Sequence, residues 1–238
     1  MAGERRRDAT GALTPYRVLD LADSKGDFCT KSLADLGADV IKVEPPGGDS
    51  ARLVPPFAGD VPDPDRSLYF LYRNANKRGI TLNLESEEGR DLFRRLAATA
   101  DVLVETFAPG YMEGLGLGYD SLHQANRGLI VASITEFGHD GPRAHYQGAP
   151  IVALAMSGVM QVAGFADKAP ANAPNAMAYD MASTYAGAGI MLALFGRGES
   201  GEGQWLDISV QEAGIAGLLP WAVPMTSYEQ VVGDAGHP

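Results

Sequence analysis

The distribution of apolar and polar residues along the chain predicts strands that alternate with helices. The run Val18-Leu19-Asp20-Leu21 predicts a short buried strand, and apolar positions with helical spacing lead up to Gly37, a residue suited to a left-handed helix stop. A second β-rich run, from Val40 to Val43, is closed by a Pro-Pro-Gly-Gly segment. Residues 17–44 therefore predict a strand–helix–strand unit, in which the two strands are parallel.

The same alternation continues through the rest of the chain. Further strands are predicted at 80–84, 102–104, 129–134 and 204–210, and helices at 86–99 with Ser86 as cap, 109–126, 150–163 and 180–197. Residues 49–67, rich in Pro and Asp, predict an irregular loop. The order predicts an α/β fold, a doubly wound, mainly parallel sheet flanked by helices, with ligands at the carboxyl ends of the strands. No Gly-x-Gly-x-x-Gly sequence follows the first strand, so a nicotinamide site is not indicated.

Composition and charge narrow the possible functions. The 238-residue chain has a formal net charge of −11, which argues against nucleic acid or an anionic membrane surface as a general partner. Its single cysteine, Cys29, allows no internal disulfide and is predicted to be a buried packing residue rather than a nucleophile. Residues 1–14 are predicted to be a disordered tail rather than a secretory signal, and the apolar run 151–165 is too interrupted for a membrane span. These features predict a cytoplasmic protein, and no His/Cys/Asp spacing predicts a metal site.

Several blocks of the sequence resemble, in the same order, the family III CoA-transferases, which include carnitine CoA-transferase, formyl-CoA transferase and α-methylacyl-CoA racemase. The blocks are Leu33-Ala34-Asp35-Leu36-Gly37-Ala38-Asp39-Val40-Ile41-Lys42-Val43-Glu44, Asn74-Ala75-Asn76-Lys77-Arg78-Gly79, Asp101-Val102-Leu103-Val104-Glu105-Thr106-Phe107, Leu115-Gly116-Leu117-Gly118-Tyr119, Phe137-Gly138-His139-Asp140-Gly141-Pro142 and Gly201-Glu202-Gly203-Gln204-Trp205. The resemblance covers roughly residues 15–215 and implies that residues 15–220 form the Rossmann-like large domain of that family. It further implies transfer of CoA, as a substrate, between an acyl-CoA thioester and a carboxylic acid.

Asp180 is the candidate catalytic residue. From the pattern alone it begins an apolar helix, and an ordinary N-cap is the plain interpretation. The resemblance implies instead that Asp180 is the nucleophile, because the family's catalytic aspartate occupies this position. Its carboxylate would attack a thioester to give an acyl anhydride, which returning CoA thiolate would convert to an aspartyl-CoA thioester for attack by the acceptor acid.

Five residues are candidates for CoA binding: Arg73, Lys77, Arg78, Thr106 and Phe107. The first three form a basic group in the block where the family contacts CoA, and solvated surface charge is the alternative interpretation. The other two lie in the turn that the family places beside the adenine, where hydrophobic packing is the alternative for the aromatic ring. Several cations that are common in the family are missing from this chain, so weak CoA binding by this chain alone is expected.

Two other functions stay open. A racemase or isomerase would need a positioned acid–base pair, but Ala149 stands where the racemase branch has its histidine. The nearby His139 and His145 are predicted to be solvated loop residues. A non-catalytic partner subunit, which would complete the site of another family member, is favoured by the missing cations and opposed by the retention of Asp180.

The resemblance also predicts that this chain works in a complex. Residues 221–238 are expected to be a linker towards a small domain that is absent from the chain, which is therefore either truncated or one half of a split enzyme. Family members are interlocked dimers, so a second family-like subunit or a second copy is expected to supply the missing parts. The sequence does not indicate the acyl group or the acceptor acid.

Overall fold

Six parallel strands form a single sheet in the structure, a computed structural model that describes residues 11–163, 168–173 and 176–218. The strands are β1 (Arg17–Leu21), β2 (Asp39–Glu44), β3 (Arg78–Thr81), β4 (Val102–Glu105), β5 (Ile130–Thr135) and β6 (Trp205–Ser209). Their order across the sheet is β3-β2-β1-β4-β5-β6. This is the order of a doubly wound α/β fold, so the predicted fold class is confirmed.

Helices cover both faces of this sheet. They are α1 (Asp27–Asp35), α2 (Leu68–Arg73), α3 (Glu87–Ala97), α4 (Tyr111–Gly114), α5 (Tyr119–Ala125), α6 (Pro150–Met156), α7 (Met177–Ser200) and α8 (Val210–Gly217), with short 3-10 helices at Ser50–Leu53, Ala58–Asp60 and Val159–Val162. Buried residues of α1, α6, α7 and α8 pack on one face, and those of α3, α4 and α5 pack on the other. Within the ranges given above, no helix combines the length and apolar character needed to cross a bilayer.

The core explains why the strands are continuous apolar runs. Val18, Val102 and Ile130 lie side by side across β1, β4 and β5 and are almost completely buried on one face. Leu19 and Leu103, the next residues along, are equally buried on the opposite face. Because successive residues of a strand point to opposite sides and both sides are covered, most positions of these strands are apolar.

Three local features differ from or agree with the sequence prediction. Gly37, with a φ of +99°, follows the end of α1 as predicted. Residues 68–73, for which no element is predicted, form α2, whose N-cap Ser67 accepts a hydrogen bond from the backbone N–H of Phe70. Leu13, within the predicted tail, is buried, and its N–H donates to the carbonyl of Leu36. Residues 1–10 and the predicted linker 221–238 lie outside the described residues.

The loops after β1 and β4 diverge to opposite faces of the sheet, because β1 continues into α1 and β4 into α4. The carboxyl ends of these adjacent strands therefore form the crevice in which doubly wound proteins bind ligands. Thr106 and Asp23 connect the two loops across this crevice. The Thr106 hydroxyl donates to Oδ1 of Asp23, and the N–H of Asp23 donates back to Oγ1 of Thr106, both at 2.9 Å.

Candidate active site

Asp180 lies at the carboxyl-end crevice, in the first turn of α7. It is not the N-cap, because Ala176 occupies that position and accepts a hydrogen bond from the N–H of Asp180. Two contacts of its neighbours fix the start of α7 in the crevice: Tyr179 donates to Glu136, just after β5, and Ser183 donates to the carbonyl of Lys25, just after β1. The side chain of Asp180 is 35% exposed, so its carboxylate is accessible to solvent.

The carboxylate of Asp180 is held by Arg73, the last residue of α2. Nη1 of Arg73 lies 2.5 Å from Oδ1 of Asp180, and Nη2 lies 3.1 Å from Oδ2, which makes the ion pair bidentate. The guanidinium is buried, and its central carbon lies 5.2 Å and 5.3 Å from the ring centroids of Phe28 and Tyr69. Such charge-assisted, planar pairing fixes the orientation of a carboxylate. Arg73, a candidate for CoA binding, is thus placed at the candidate nucleophile.

A second carboxylate, that of Asp27 at the start of α1, lies behind the same guanidinium. Oδ1 of Asp27 is 3.6 Å from Nη1 of Arg73, the hydroxyl of Tyr69 interacts with the same carboxylate, and neither carboxylate oxygen accepts a hydrogen bond of good geometry from any described residue. Asp27 is only 1% exposed. Burial raises its pKa to about 7, against the opposing effect of Arg73 and Lys77. Asp27 is not among the residues predicted from the sequence; its position at the start of the helix that follows the carboxyl end of β1 is the signal that could have indicated it.

Lys77 is buried rather than presented to a ligand. Its ammonium donates to Oδ2 of Asp20 and Oδ1 of Asn74, both at 2.9 Å, and to the carbonyl of Asp27 at 3.1 Å. These contacts use all three of its N–H donors. Burial would raise the pKa of Asp20, but the charges of Lys42 and Lys77 outweigh burial and hold that pKa below its usual value.

Each of the three cations of the predicted basic group has a carboxylate partner of its own. Arg73 binds Asp180 and Lys77 binds Asp20, while Arg78 extends from the start of β3 to Asp39, with Nη2–Oδ1 at 2.7 Å. The Arg78 side chain is 62% exposed. Adjacent residues at the start of an edge strand point in opposite directions, so Lys77 enters the core while Arg78 stays at the surface.

A cavity of about 390 Å³ lies at the carboxyl ends of β1 to β4. Phe107 and Tyr111 form part of its wall, with their ring centroids 4.5 Å apart. Its rim carries the carboxylates of Asp23, Asp49 and Glu85, and none of the described residues that line it is a lysine or arginine. The cavity is therefore suited to an uncharged aromatic group more than to phosphates, in line with the cations missing from the sequence.

Glu136 is a further group of the site that the sequence analysis missed. It directly follows β5, and its Oε1 accepts a hydrogen bond of 2.6 Å from the hydroxyl of Tyr179, the neighbour of Asp180. Burial raises its pKa above the usual value, and its second oxygen is buried with no hydrogen-bond partner among the described residues. A carboxylate immediately after a buried parallel strand is the signal that identifies it.

The other candidates from the sequence lie apart from Asp180. His139 is not a solvated loop residue: its side chain is 12% exposed, and Nδ1 lies 3.1 Å from Oδ1 of Asp207. This hydrogen bond raises the pKa of His139. His145 is exposed, as predicted. Cys29 is buried, and burial raises its pKa to about 12, which agrees with a packing role.

Known proteins share both the sequence and the fold of this chain. It is 44% identical over 198 residues to the succinyl-CoA:(R)-benzylsuccinate CoA-transferase subunit BbsE of Thauera aromatica, a match that covers 83% of this chain and 48% of that protein. It is 40% identical over 204 residues to the acetyl-CoA:oxalate CoA-transferase of Acetobacter aceti, covering 84% of this chain and 51% of that enzyme. The chain spans about half the length of the curated relatives it matches.

The solved structure of a CAIB/BAIF family protein from Brucella suis superposes with a TM-score of 0.89 at 36% identity, covering 96% of this chain and 61% of that one. The model of the CoA-transferase family III matches residues 13–237, which is nearly the whole chain. Sequence, strand order and solved relatives therefore agree, and the chain belongs to the CoA-transferase family III.

Proposed function

We propose that this chain transfers CoA between an acyl-CoA thioester and a carboxylic acid, with Asp180 as the nucleophile. The observation that carries the proposal is the position of Asp180, a partly exposed carboxylate at the switch point of the sheet, oriented by the buried guanidinium of Arg73. Membership of the family supports the reaction class.

The proposed reaction proceeds through covalent states of Asp180 of two kinds, acyl anhydrides and a CoA thioester. Its carboxylate attacks the thioester carbonyl carbon, the C–S bond breaks, and CoA leaves as the thiolate. The thiolate then attacks the aspartyl carbonyl of the resulting anhydride, which releases the first acid and leaves an aspartyl-CoA thioester. The acceptor carboxylate attacks that thioester and displaces CoA thiolate, which gives a second anhydride between Asp180 and the acceptor. The thiolate then attacks the acceptor's acyl carbonyl, so the new acyl-CoA leaves and the Asp180 carboxylate is regenerated.

Small carboxylic acids, including dicarboxylic acids that carry an aromatic group, are the proposed substrate class, because the relatives are named for succinyl-CoA, (R)-benzylsuccinate, acetyl-CoA and oxalate. For CoA itself, we propose that the adenine occupies the cavity beside Phe107. Thr106 would position the loop after β1 rather than contact the phosphates, since its hydroxyl is committed to Asp23. Because no lysine or arginine is among the described residues that line the cavity, a second chain is proposed to contribute the groups that bind the phosphates.

The exposed face of α7 supports assembly with a second copy or a second family-like subunit. Leu192 and Phe195 are 72% and 76% exposed, and Tyr185 and Met191 are also exposed on this helix. Large exposed apolar surfaces of this kind favour association. Light scattering after size exclusion, with and without a co-expressed family-like subunit, tests this proposal. A wild-type chain that stays monomeric with full transferase activity would contradict it.

Trapping of the covalent intermediate tests the role of Asp180. The protein is incubated with succinyl-CoA, treated with hydroxylamine and digested for mass spectrometry. We expect a hydroxamate at Asp180 in the wild type and none in Asp180→Asn, which keeps the volume of the side chain but removes its charge. Circular dichroism of both proteins controls for folding. A wild-type complex that transfers CoA without modification of Asp180 would overturn the assignment.

The non-catalytic partner subunit is retained as a second candidate, because the bidentate pair with Arg73 lowers the nucleophilicity of Asp180 and the described residues that line the cavity include no lysine or arginine. In that case the hydroxamate forms on the other subunit of the complex. The racemase is disfavoured by Ala149, which carries no ionisable group, and by the engagement of His139 with Asp207.

A further inference from the structure

Asp27 is a buried ionisable group that lies next to the proposed nucleophile's partner, Arg73. Its two oxygens accept no hydrogen bond of good geometry from the described residues, although the hydroxyl of Tyr69 lies beside it, and the proposed reaction does not use it. A buried carboxylate without such partners is costly when it is ionised. Its nearest cation is Arg73, which is also the partner of the proposed nucleophile.

The guanidinium of Arg73 is shared unequally by two carboxylates. The same atom, Nη1, lies 2.5 Å from Oδ1 of Asp180 and 3.6 Å from Oδ1 of Asp27. A displacement of the Arg73 guanidinium by about 1 Å towards Asp27 would therefore make Asp27 the closer partner of Nη1. The rings of Phe28 and Tyr69, each just over 5 Å from the guanidinium carbon, lie close enough to stabilise the cation in either arrangement.

We infer that Asp27 is a positioning residue, which takes over Arg73 when acylation removes the negative charge of Asp180. This inference rests on the proposed function. When an oxygen of Asp180 bonds to the acyl carbon and the C–S bond breaks, the electron pair and the charge leave with the CoA thiolate. Asp180 is then neutral, Asp27 loses its proton to solvent, and the ionised carboxylate becomes the partner of Arg73.

The charged groups around Asp27 leave Arg73 as the cation that Asp27 and Asp180 share, which is what the proposed exchange requires. Asp27 is faced by Tyr69 and Arg73 from α2, Lys77 from the following loop, Asp20 from β1, Lys42 from β2 and, across Arg73, Asp180 from α7. Lys77 and Lys42 are already paired with Asp20 and Asp49. Arg73 is therefore the cation left for the remaining two carboxylates. A pKa near 7 allows Asp27 to change its charge at neutral pH.

Titration of Asp27 by ¹³C NMR of its carboxyl carbon tests the exchange without relying on catalysis. Asp180→Asn imitates the neutral, acylated residue. We expect the pKa of Asp27 in that variant to fall by about one unit or more, because Arg73 is released to pair with it. In an Arg73→Met background the same substitution should have a clearly smaller effect, because only the loss of the Asp180 charge remains. An unchanged pKa, or an equal fall in both backgrounds, would overturn the inference.

A kinetic measurement separates this inference from the proposed function. The rate at which succinyl-CoA modifies Asp180 is measured between pH 6 and pH 8. In the wild type it should rise with pH, because ionised Asp27 draws Arg73 away from the nucleophile, whereas the profile of Asp27→Asn should be flat. Identical profiles would contradict the inference. Absence of any adduct in the wild type would instead contradict the proposed function. The NMR titration needs no substitution at Asp27, so it decides the exchange even where Asp27→Asn does not fold.

Discussion

At the scale of single residues, two adjacent cations, Lys77 and Arg78, have opposite environments. The Lys77 side chain is 1% exposed and its partner Asp20 is fully buried, whereas Arg78 is 62% exposed on Asp39. Removal of one member of a buried ion pair leaves an uncompensated charge in the core. The burial of the carboxylate partner therefore decides whether a basic residue stabilises the core or forms an exposed ion pair at the surface.

Lys77→Met is expected to lower the free energy of unfolding by about 3–5 kcal/mol, because Asp20 loses a buried partner. Urea unfolding, followed by circular dichroism, measures the difference. Arg78→Met is the matched control and should cost less than about 1 kcal/mol, since exposed pairs contribute little. Equal free energies of unfolding of the two variants would show that Lys77 does not stabilise the core. Lys77 would then again be a candidate for phosphate binding.

The site could be predicted in part from the sequence. Asp180 was identified because its motif resembles that of the family, and Arg73 was included because of its charge. The pair that they form joins residues 107 positions apart, and no local pattern encodes such a distance. Asp27 and Glu136 both follow the carboxyl ends of parallel strands, but that position does not show how deeply they are buried. The lack of good hydrogen-bond partners for Asp27 and for one oxygen of Glu136 appears only when the elements are assembled.

At the scale of the elements, steric constraints explain why glycine stands at two positions of the Gly201-Glu202-Gly203 segment between α7 and β6. A Cβ atom at Gly203 would lie 2.0 Å from the carbonyl oxygen of Leu129, immediately before β5. The missing side chain lets the approach to β6 pass close to the neighbouring strand. Gly201 ends α7 with a φ of +75°, a conformation that favours glycine.

Gly203→Ala is expected to destabilise the protein by about 1–3 kcal/mol or more, because the backbone of Leu129 cannot move away without disturbing β5. Thermal melts, followed by circular dichroism, measure the change. Gly198→Ala is the control within α7, where a Cβ atom meets no other atom within 4 Å, and it should stabilise by about 0.5–1 kcal/mol. A fully stable Gly203→Ala protein would contradict the steric argument.

Element prediction succeeded where an element is buried and failed where it is short or exposed. β1 and β4 match their predicted runs within one residue, because both of their faces are covered. β3 is an edge strand whose four residues are all exposed, and the alternation of apolar residues after it places the predicted strand two residues too late. α2 has only six residues and depends on the cap of Ser67, so it shows no period that could be recognised.

At the scale of the whole molecule, the dependence of stability on pH reflects two buried aspartates with opposite shifts. Asp20 has a lowered pKa, so its contribution is present above the unfolded value of 3.8 and is lost as the pH falls through the folded value. Asp27 has a pKa raised from 3.8 to about 7. Between pH 3.8 and about pH 7, Asp27 keeps a proton in the folded protein that it has released in the unfolded chain. The free energy of unfolding therefore decreases as the pH rises through this range.

Asp27→Asn should therefore remove a fall in stability between about pH 4 and pH 7. The shift of about three pKa units corresponds to at most about 4 kcal/mol, since each unit is worth about 1.4 kcal/mol. Urea unfolding at several pH values should show the stability of Asp27→Asn, relative to the wild type, rising with pH through this window and constant above it. Asp65→Asn, which alters an 89% exposed carboxylate, should follow the wild type in parallel. If the curves of Asp27→Asn and the wild type are also parallel, Asp27 is ionised throughout this range, and Arg73 must already be sufficient to hold both carboxylates in their charged forms.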